Sequence, residues 1–102
     1  GEARVVNVSS AAGEIEPASG WAPAYAVSKA ALNALTVKLA LAGKPAKVSV
    51  NAACPGWVRT AMGGPDAPKA PEQAAEDLAW LALDAPASLS GVFVRDRTVV
   101  PW

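Results

Sequence analysis

Arg4-Val5-Val6-Asn7-Val8 is a β-branched run that stops at Ser9-Ser10. A strand with one wet face alternates apolar and polar residues, because successive side chains point to opposite faces. This run does not alternate strictly, which suits a strand covered on both faces, as in a parallel sheet. Outward from it, Ala11 to Ala24 reads as loop, punctuated by Gly13, Pro17, Gly20 and Pro23. A long helix is expected over about Ala24 to Ala42, rich in Ala, Leu and Lys and ended by Gly43 and Pro45. Its charges are few and its apolar residues lie almost all round, so it is expected to be largely buried.

Lys47 to Ala53 gives a second strand, closed by Cys54-Pro55-Gly56, and Trp57 to Ala70 reads as irregular. Pro71 sits well in the first turn of a helix running to about Asp84, with Glu72, Glu76 and Asp77 toward its positive end. Loop residues through Gly91 lead to a last strand, Val92 to Arg95, and a tail ending in Trp102. Strand, helix, strand, helix, strand implies right-handed crossovers and a three-layer parallel α/β sheet. Three strands are fewer than such sheets usually have. The chain also opens without Met and enters a strand within its first residues, so an N-terminal portion is expected to be missing.

The totals narrow the function. A formal net charge of zero leaves no electrostatic footprint for nucleic acid or an anionic membrane. No apolar stretch approaches the roughly 20 residues that span a bilayer, and Gly1-Glu2-Ala3-Arg4-Val5 is not expected to be a signal peptide. Cys54 is alone, so no intrachain disulfide forms, and the absence of histidine rules out Cys/His zinc sites and histidine acid/base chemistry within these residues. Catalysis here has Ser, Tyr, Lys, Asp, Glu or the lone thiol to draw on. The expected compartment is the cytoplasm.

Tyr25 and Lys29 are four apart at the start of the long helix, so both project from one face. A phenol so placed can serve as a proton donor, and the ammonium favours its phenolate form. Taken alone, the pair reads more readily as a partly exposed Tyr beside a solvated Lys. Ser10 ends a buried strand, where open α/β sheets place their ligands, and its hydroxyl could donate to a carbonyl oxygen as charge builds there. Serines at a strand end also satisfy turn backbone without further role. Cys54-Pro55-Gly56 ends the next strand at the same edge, either as a plain tight turn or as backbone that lets a flat ligand approach.

Three segments together resemble the short-chain dehydrogenase/reductase family: Asn7-Val8-Ser9-Ser10-Ala11-Ala12-Gly13, then Tyr25-Ala26-Val27-Ser28-Lys29-Ala30-Ala31-Leu32, then Val50-Asn51-Ala52-Ala53-Cys54-Pro55-Gly56-Trp57-Val58-Arg59-Thr60. The tail, Gly91-Val92-Phe93-Val94-Arg95-Asp96 through Pro101-Trp102, is similar to the carbonyl-reductase-like branch. The resemblance covers essentially the whole chain. It implies the C-terminal half of a Rossmann-type doubly wound parallel sheet, with three strands and two main helices, residues 1–102 being the catalytic portion of an NAD(P)-binding domain.

The resemblance also implies roles. Tyr25 would be the general acid in carbonyl reduction or the base in alcohol oxidation. Lys29 would hold the nicotinamide ribose hydroxyls beside Tyr25. Ser10, directly before the family's x-x-Gly turn, would polarise the substrate carbonyl in preference to Ser9. Pro55, Gly56 and Val58 would line the nicotinamide, with the Val58 backbone and Thr60 near its carboxamide. The implied cofactor is NADP, with NAD open. The implied partner is a small carbonyl or alcohol substrate, with no nucleic acid and no membrane, and a homo-oligomer of the full-length protein is left open.

Departures from the family pattern count against a simple transfer. The Gly-rich phosphate turn and the Asn of the catalytic tetrad are absent from these residues. Ala61 stands where this branch commonly has Asp after Thr60, and Leu39 to Lys47 lacks the usual acidic residue. An inactive relative serving packing or subunit contact is therefore the alternative reading. Trp21 and Trp57 read equally as pocket walls or as loop anchors. Trp80 reads as core, Trp102 as packing the tail, and Cys54 as a small buried hydrophobe.

Overall fold

The computed structural model describes residues 3–13, 20 and 22–102. Strand β1 runs Ala3–Val8, helix α1 Pro23–Gly43, strand β2 Val48–Cys54, helix α2 Pro71–Leu83, and strands β3 and β4 Phe93–Arg95 and Thr98–Val100. One sheet holds all four strands in the order β1-β2-β3-β4. β1 pairs with β2 in parallel from Ala3↔Val48 to Val8↔Ala53, and β3 joins β2 in parallel at Ala52↔Phe93.

β4 is a correction to the expected three strands. It pairs antiparallel with β3, Phe93 opposite Val100. The hairpin turn is Asp96-Arg97, both at positive φ (51° and 59°). That is the mirror-image turn whose twist matches the flanking strands, usually marked by Asn-Gly or Asp-Gly. Without a glycine, the pair gives no turn signal in the sequence.

The two helices lie on opposite faces. Asn7 and Ser9 of the β1 segment hydrogen-bond to Thr36 and Asn33 of α1. Val6, of opposite parity, packs with Ala53 and Val94 against Leu81 of α2. Arg4 shares that side and donates to the carbonyl oxygens of Ala82 and Ala85 at the end of α2 (3.5 and 2.6 Å). Both crossovers step the same way, from β1 to β2 and from β2 to β3. Connections of one hand would then put both helices on one face. Opposite faces mean opposite hands, so the expectation of two right-handed crossovers fails for one of them. β2, central and covered on both sides, is buried along all but its first residue.

α1 also departs from expectation. Only Asn33, Thr36 and Ala40 are buried, while Val27, Leu35, Leu39 and Leu41 are 69%, 49%, 41% and 67% exposed. One flank lies on the sheet, so a helix that is apolar all round leaves apolar surface on the other. Its buried stripe holds two polar residues, Asn33 and Thr36, matched to Ser9 and Asn7, together with Ala40. Trp80 is half-buried, packed on the α2-side core and beneath the Arg97 guanidinium. Trp102 stacks on Phe93. Cys54 is buried and free.

Candidate active site

β1 and β2 end at the same edge of the sheet, and their last residues deliver Ser9-Ser10 and Cys54-Pro55-Gly56 to it. The two serines part ways there. Ser9 is 3% exposed, its N–H donates to Ala53 O (2.7 Å) and its hydroxyl to Asn33 Oδ1 (2.6 Å). It is committed to the interior. Ser10 is half-buried, and its Oγ accepts from the Ala12 N–H at 3.1 Å. Of the two, Ser10 is the one a ligand at the sheet edge could meet.

From Ser10 the chain folds into a 3-10 turn, Ala11–Gly13, closed by Gly13 N–H to Ser10 O (2.9 Å). This turn is pressed against the start of α1. A Cβ on Gly13 would stand 2.8 Å from the Lys29 carbonyl carbon and 2.9 Å from its Cβ, closer than side chains tolerate. Glycine is required here for space.

α1 begins at Ala22-Pro23, where proline suits a first helical turn whose N–H groups lack intrahelical partners. Within the first turn, Tyr25 is half-buried. Lys29 Nζ sits 5.5 Å from the Tyr25 ring centroid and donates to Val8 O at 3.1 Å. That bond carries the ammonium back to the last residue of β1, two before Ser10. The structure thus gathers Ser10, Tyr25 and Lys29 where β1, the 3-10 turn and α1 meet. Trp21 lies outside the described residues.

At the end of β2, Pro55 is half-buried and Gly56 exposed with φ 88°, a left-handed conformation that disfavours side chains. The next residues form a tight loop. Thr60 N–H donates to Val58 O (2.9 Å), Thr60 Oγ1 accepts from Gly63 N–H (3.1 Å), and Gly64 N–H donates to Thr60 O (2.8 Å). Val58 is half-buried and Thr60 exposed. Trp57 is 59% exposed, with its indole N–H on Gly63 O (2.7 Å), an anchor within the loop. Among the described residues, no group of His, Cys, Asp and Glu side chains could hold a metal ion.

One residue next to this edge escaped the sequence reading. Lys69 closes the loop after Gly56 and is gripped by Asp77 and Asp96. Nothing local announces it, because its partners come from α2 and from the β3–β4 turn.

The chain is similar to known proteins along most of its length. The family model for short chain dehydrogenase matches residues 1–71. Carbonyl reductase [NADPH] 1 of Rattus norvegicus is 43% identical over 90 residues, covering 81% of this chain and 32% of that protein. The Sus scrofa protein of the same name is 45% identical over 91 residues, covering 81% and 31%. Among solved structures, carbonyl reductase Sniffer of D. melanogaster superposes with a TM-score of 0.88 at 31% identity, over 97% of this chain and 41% of that one. The NADPH-bound carbonyl reductase from chicken fatty liver gives 0.84 at 30% identity, over 97% and 42%. The chain spans about a third of the length of the curated relatives it matches.

Proposed function

The chain belongs to the short chain dehydrogenase family, and from that premise we propose that the full protein is an NADP(H)-preferring carbonyl reductase acting on a small ketone, aldehyde or secondary alcohol. Residues 1–102 are the catalytic C-terminal portion of its NAD(P)-binding domain. Coverage of about a third of the curated relatives supports this, as does β1, which among the described strands has a neighbour on one side only. We place the protein in the cytoplasm, where a free thiol such as Cys54 persists.

The carrying observation is the position of Lys29, whose ammonium joins the end of β1 to the Tyr25 ring. In reduction, the Tyr25 phenol gives its proton to the carbonyl oxygen as that oxygen gains charge. The Ser10 hydroxyl donates to the same oxygen and orients it. An ammonium has three donors, so Lys29 keeps capacity for ribose hydroxyls beyond its bond to Val8 O. Pro55, Gly56 and Val58 would line the nicotinamide from the end of β2, with the Val58 backbone and Thr60 near its carboxamide. Bound there, a nicotinamide supplies or takes the hydride, and the protein supplies position and electrostatics.

The test is Tyr25→Phe in the full-length protein. Carbonyl-dependent NADPH oxidation should vanish while NADPH binding persists. Turnover retained in that variant would sink the mechanism.

A second reading, a catalytically inactive relative whose α1 serves packing or subunit contact, draws on the exposed Val27, Leu35 and Leu41. Enhanced NADPH fluorescence on mixing with micromolar full-length protein favours the enzyme. Its absence favours the inactive relative.

A further inference from the structure

Between the Pro55-Gly56 turn and α2 lies a set of charges that the chemistry above does not use. Lys69 Nζ stands 2.8 Å from Asp77 Oδ2 and 2.8 Å from Asp96 Oδ1, with its side chain only 10% exposed. Asp77 is held in turn by Arg97 Nε on its other oxygen (3.0 Å). Asp77 belongs to α2 and Asp96 to the tip of the β3–β4 hairpin. One ammonium therefore ties the loop to two separate elements.

The rest of Lys69 lies under the turn. Its N–H donates to Trp57 O (3.2 Å) and its carbonyl accepts from the Arg59 N–H (2.9 Å), closing the loop at the point where it leaves Gly56. A Cβ built on Gly56 would lie 3.4 Å from Lys69 Cδ, ordinary contact distance, so the aliphatic stem is the floor beneath that residue. The loop's shape is held from within, by Trp57 Nε1 on Gly63 O and Gly63 N–H on Thr60 Oγ1. Beyond its run of chain into α2, the loop is tied to α2 and to the hairpin by the Lys69 ammonium. A covered charge pair is costly to break from one side, because the remaining charge stays desolvated.

We propose that Lys69 is a positioning residue for cofactor binding, a buckle that holds Pro55, Gly56 and Val58 at the sheet edge by fastening their loop to Asp77 and Asp96. The proposal rests on the reading of those three residues as the nicotinamide lining. Lys69 acts through the turn. With the buckle open the loop keeps its internal bonds but loses its placement, so the penalty falls on nicotinamide binding before it falls on the proton-transfer residues of α1.

Lys69→Met in the full-length protein keeps most of the stem and removes the charge. Hydrogen exchange at the Arg59 and Lys69 amides should quicken by about tenfold or more, while the β2 amides paired with β1 stay within about twofold. KM for NADPH should rise about tenfold, with kcat changed by less than about threefold. Lys69→Arg, which keeps the charge, should recover most of both effects. Asp96→Asn, which leaves the Asp77 bond in place, should shift the same readouts in the same direction by a smaller factor, and it serves if Lys69→Met does not fold. Wild-type exchange in Lys69→Met, or a loss confined to kcat, would overturn the positioning role alone. Failure of the wild-type protein to bind NADPH would instead overturn the reading of the turn as nicotinamide lining.

Discussion

The Ser9 hydroxyl donates a 2.6 Å hydrogen bond to Asn33 Oδ1, and the two residues are 3% and 4% exposed. This bond fastens the residue before Ser10 to α1, one helical turn beyond Lys29. Asn33 Nδ2 has no protein partner among the described residues, which leaves Ser9 as what satisfies that side chain. Adjacent serines should therefore fail in different ways. Ser9→Ala should cost about 1–3 kcal/mol of stability, the usual penalty for a buried polar group left unmatched. Ser10→Ala should change stability by less than about 1 kcal/mol yet slow turnover by about 100-fold or more, as removal of a donor to a developing oxyanion does. Urea unfolding and steady-state rates on the two variants check this, and matching profiles for both would refute the division of labour.

Gly13 tests how closely the 3-10 turn must sit on the helix. An added methyl would meet the Lys29 backbone at 2.8 Å, and a helix backbone yields less readily than a side-chain tip. Gly13→Ala should destabilise the protein by about 1–3 kcal/mol through overpacking. It should also lower turnover, because the turn and Lys29 would have to part. A thermal midpoint equal to wild type would show that the contact relaxes without cost.

The charges around Lys69 make stability depend on pH at both ends. The hydrogen bond from Lys69 holds the Asp77 carboxyl below its ordinary 3.8, against the opposing effect of burial, and Arg97 adds to the lowering. Burial pulls the Lys69 ammonium down from its ordinary 10.5, but the hydrogen bonds and charges of Asp77 and Asp96 together outweigh it and raise it. The contribution of Asp77 is complete above 3.8 and lost as pH falls through its lowered folded-state value. That of Lys69 is complete below 10.5 and lost as pH rises through its raised value. The pair should thus add stability evenly between those limits and lose it beyond each. Asp77→Asn should remove the acid step and weaken the alkaline one in urea midpoints measured against pH. Superimposable curves would rule the pair out as a stabiliser.

Four elements of this fold are legible in the residues because each is bounded by local chemistry. Pro23 and Pro71 open the two helices, Gly43 with Pro45 ends the first, and Ser9-Ser10 and Pro55-Gly56 follow the two long strands. What the residues conceal depends on distant partners. β4 exists because Val99 and Val100 find β3 across a turn with no glycine. The opposite hands of the crossovers follow from which face each helix covers, and no local pattern records that. In the candidate site, Tyr25, Lys29 and Ser10 stand out through the family resemblance of the segments that carry them, since their spacing alone is ambiguous. Lys69 does not, since its meaning comes from Asp77 and Asp96, 8 and 27 residues further along.

Phe93 and Trp102 stack with ring centroids 5.6 Å apart and planes 5° from parallel, and the tail indole covers a Phe that is fully buried against Ala52 and Cys54. This contact joins the last residue of the chain to the strand end that carries the Pro55-Gly56 turn. Trp102 is half-buried, so its truncation removes part of the area that a full core aromatic would. Trp102→Ala should cost about 2–3 kcal/mol, below the upper range for buried aromatics. Stacking itself should appear as a coupling of about 0.5–1.5 kcal/mol in a double-mutant cycle with Phe93→Leu. Urea unfolding of the two single variants and the double variant gives the cycle. A coupling near zero would mean that Trp102 only shields Phe93 from water, and that any bulky apolar residue could close the tail as well.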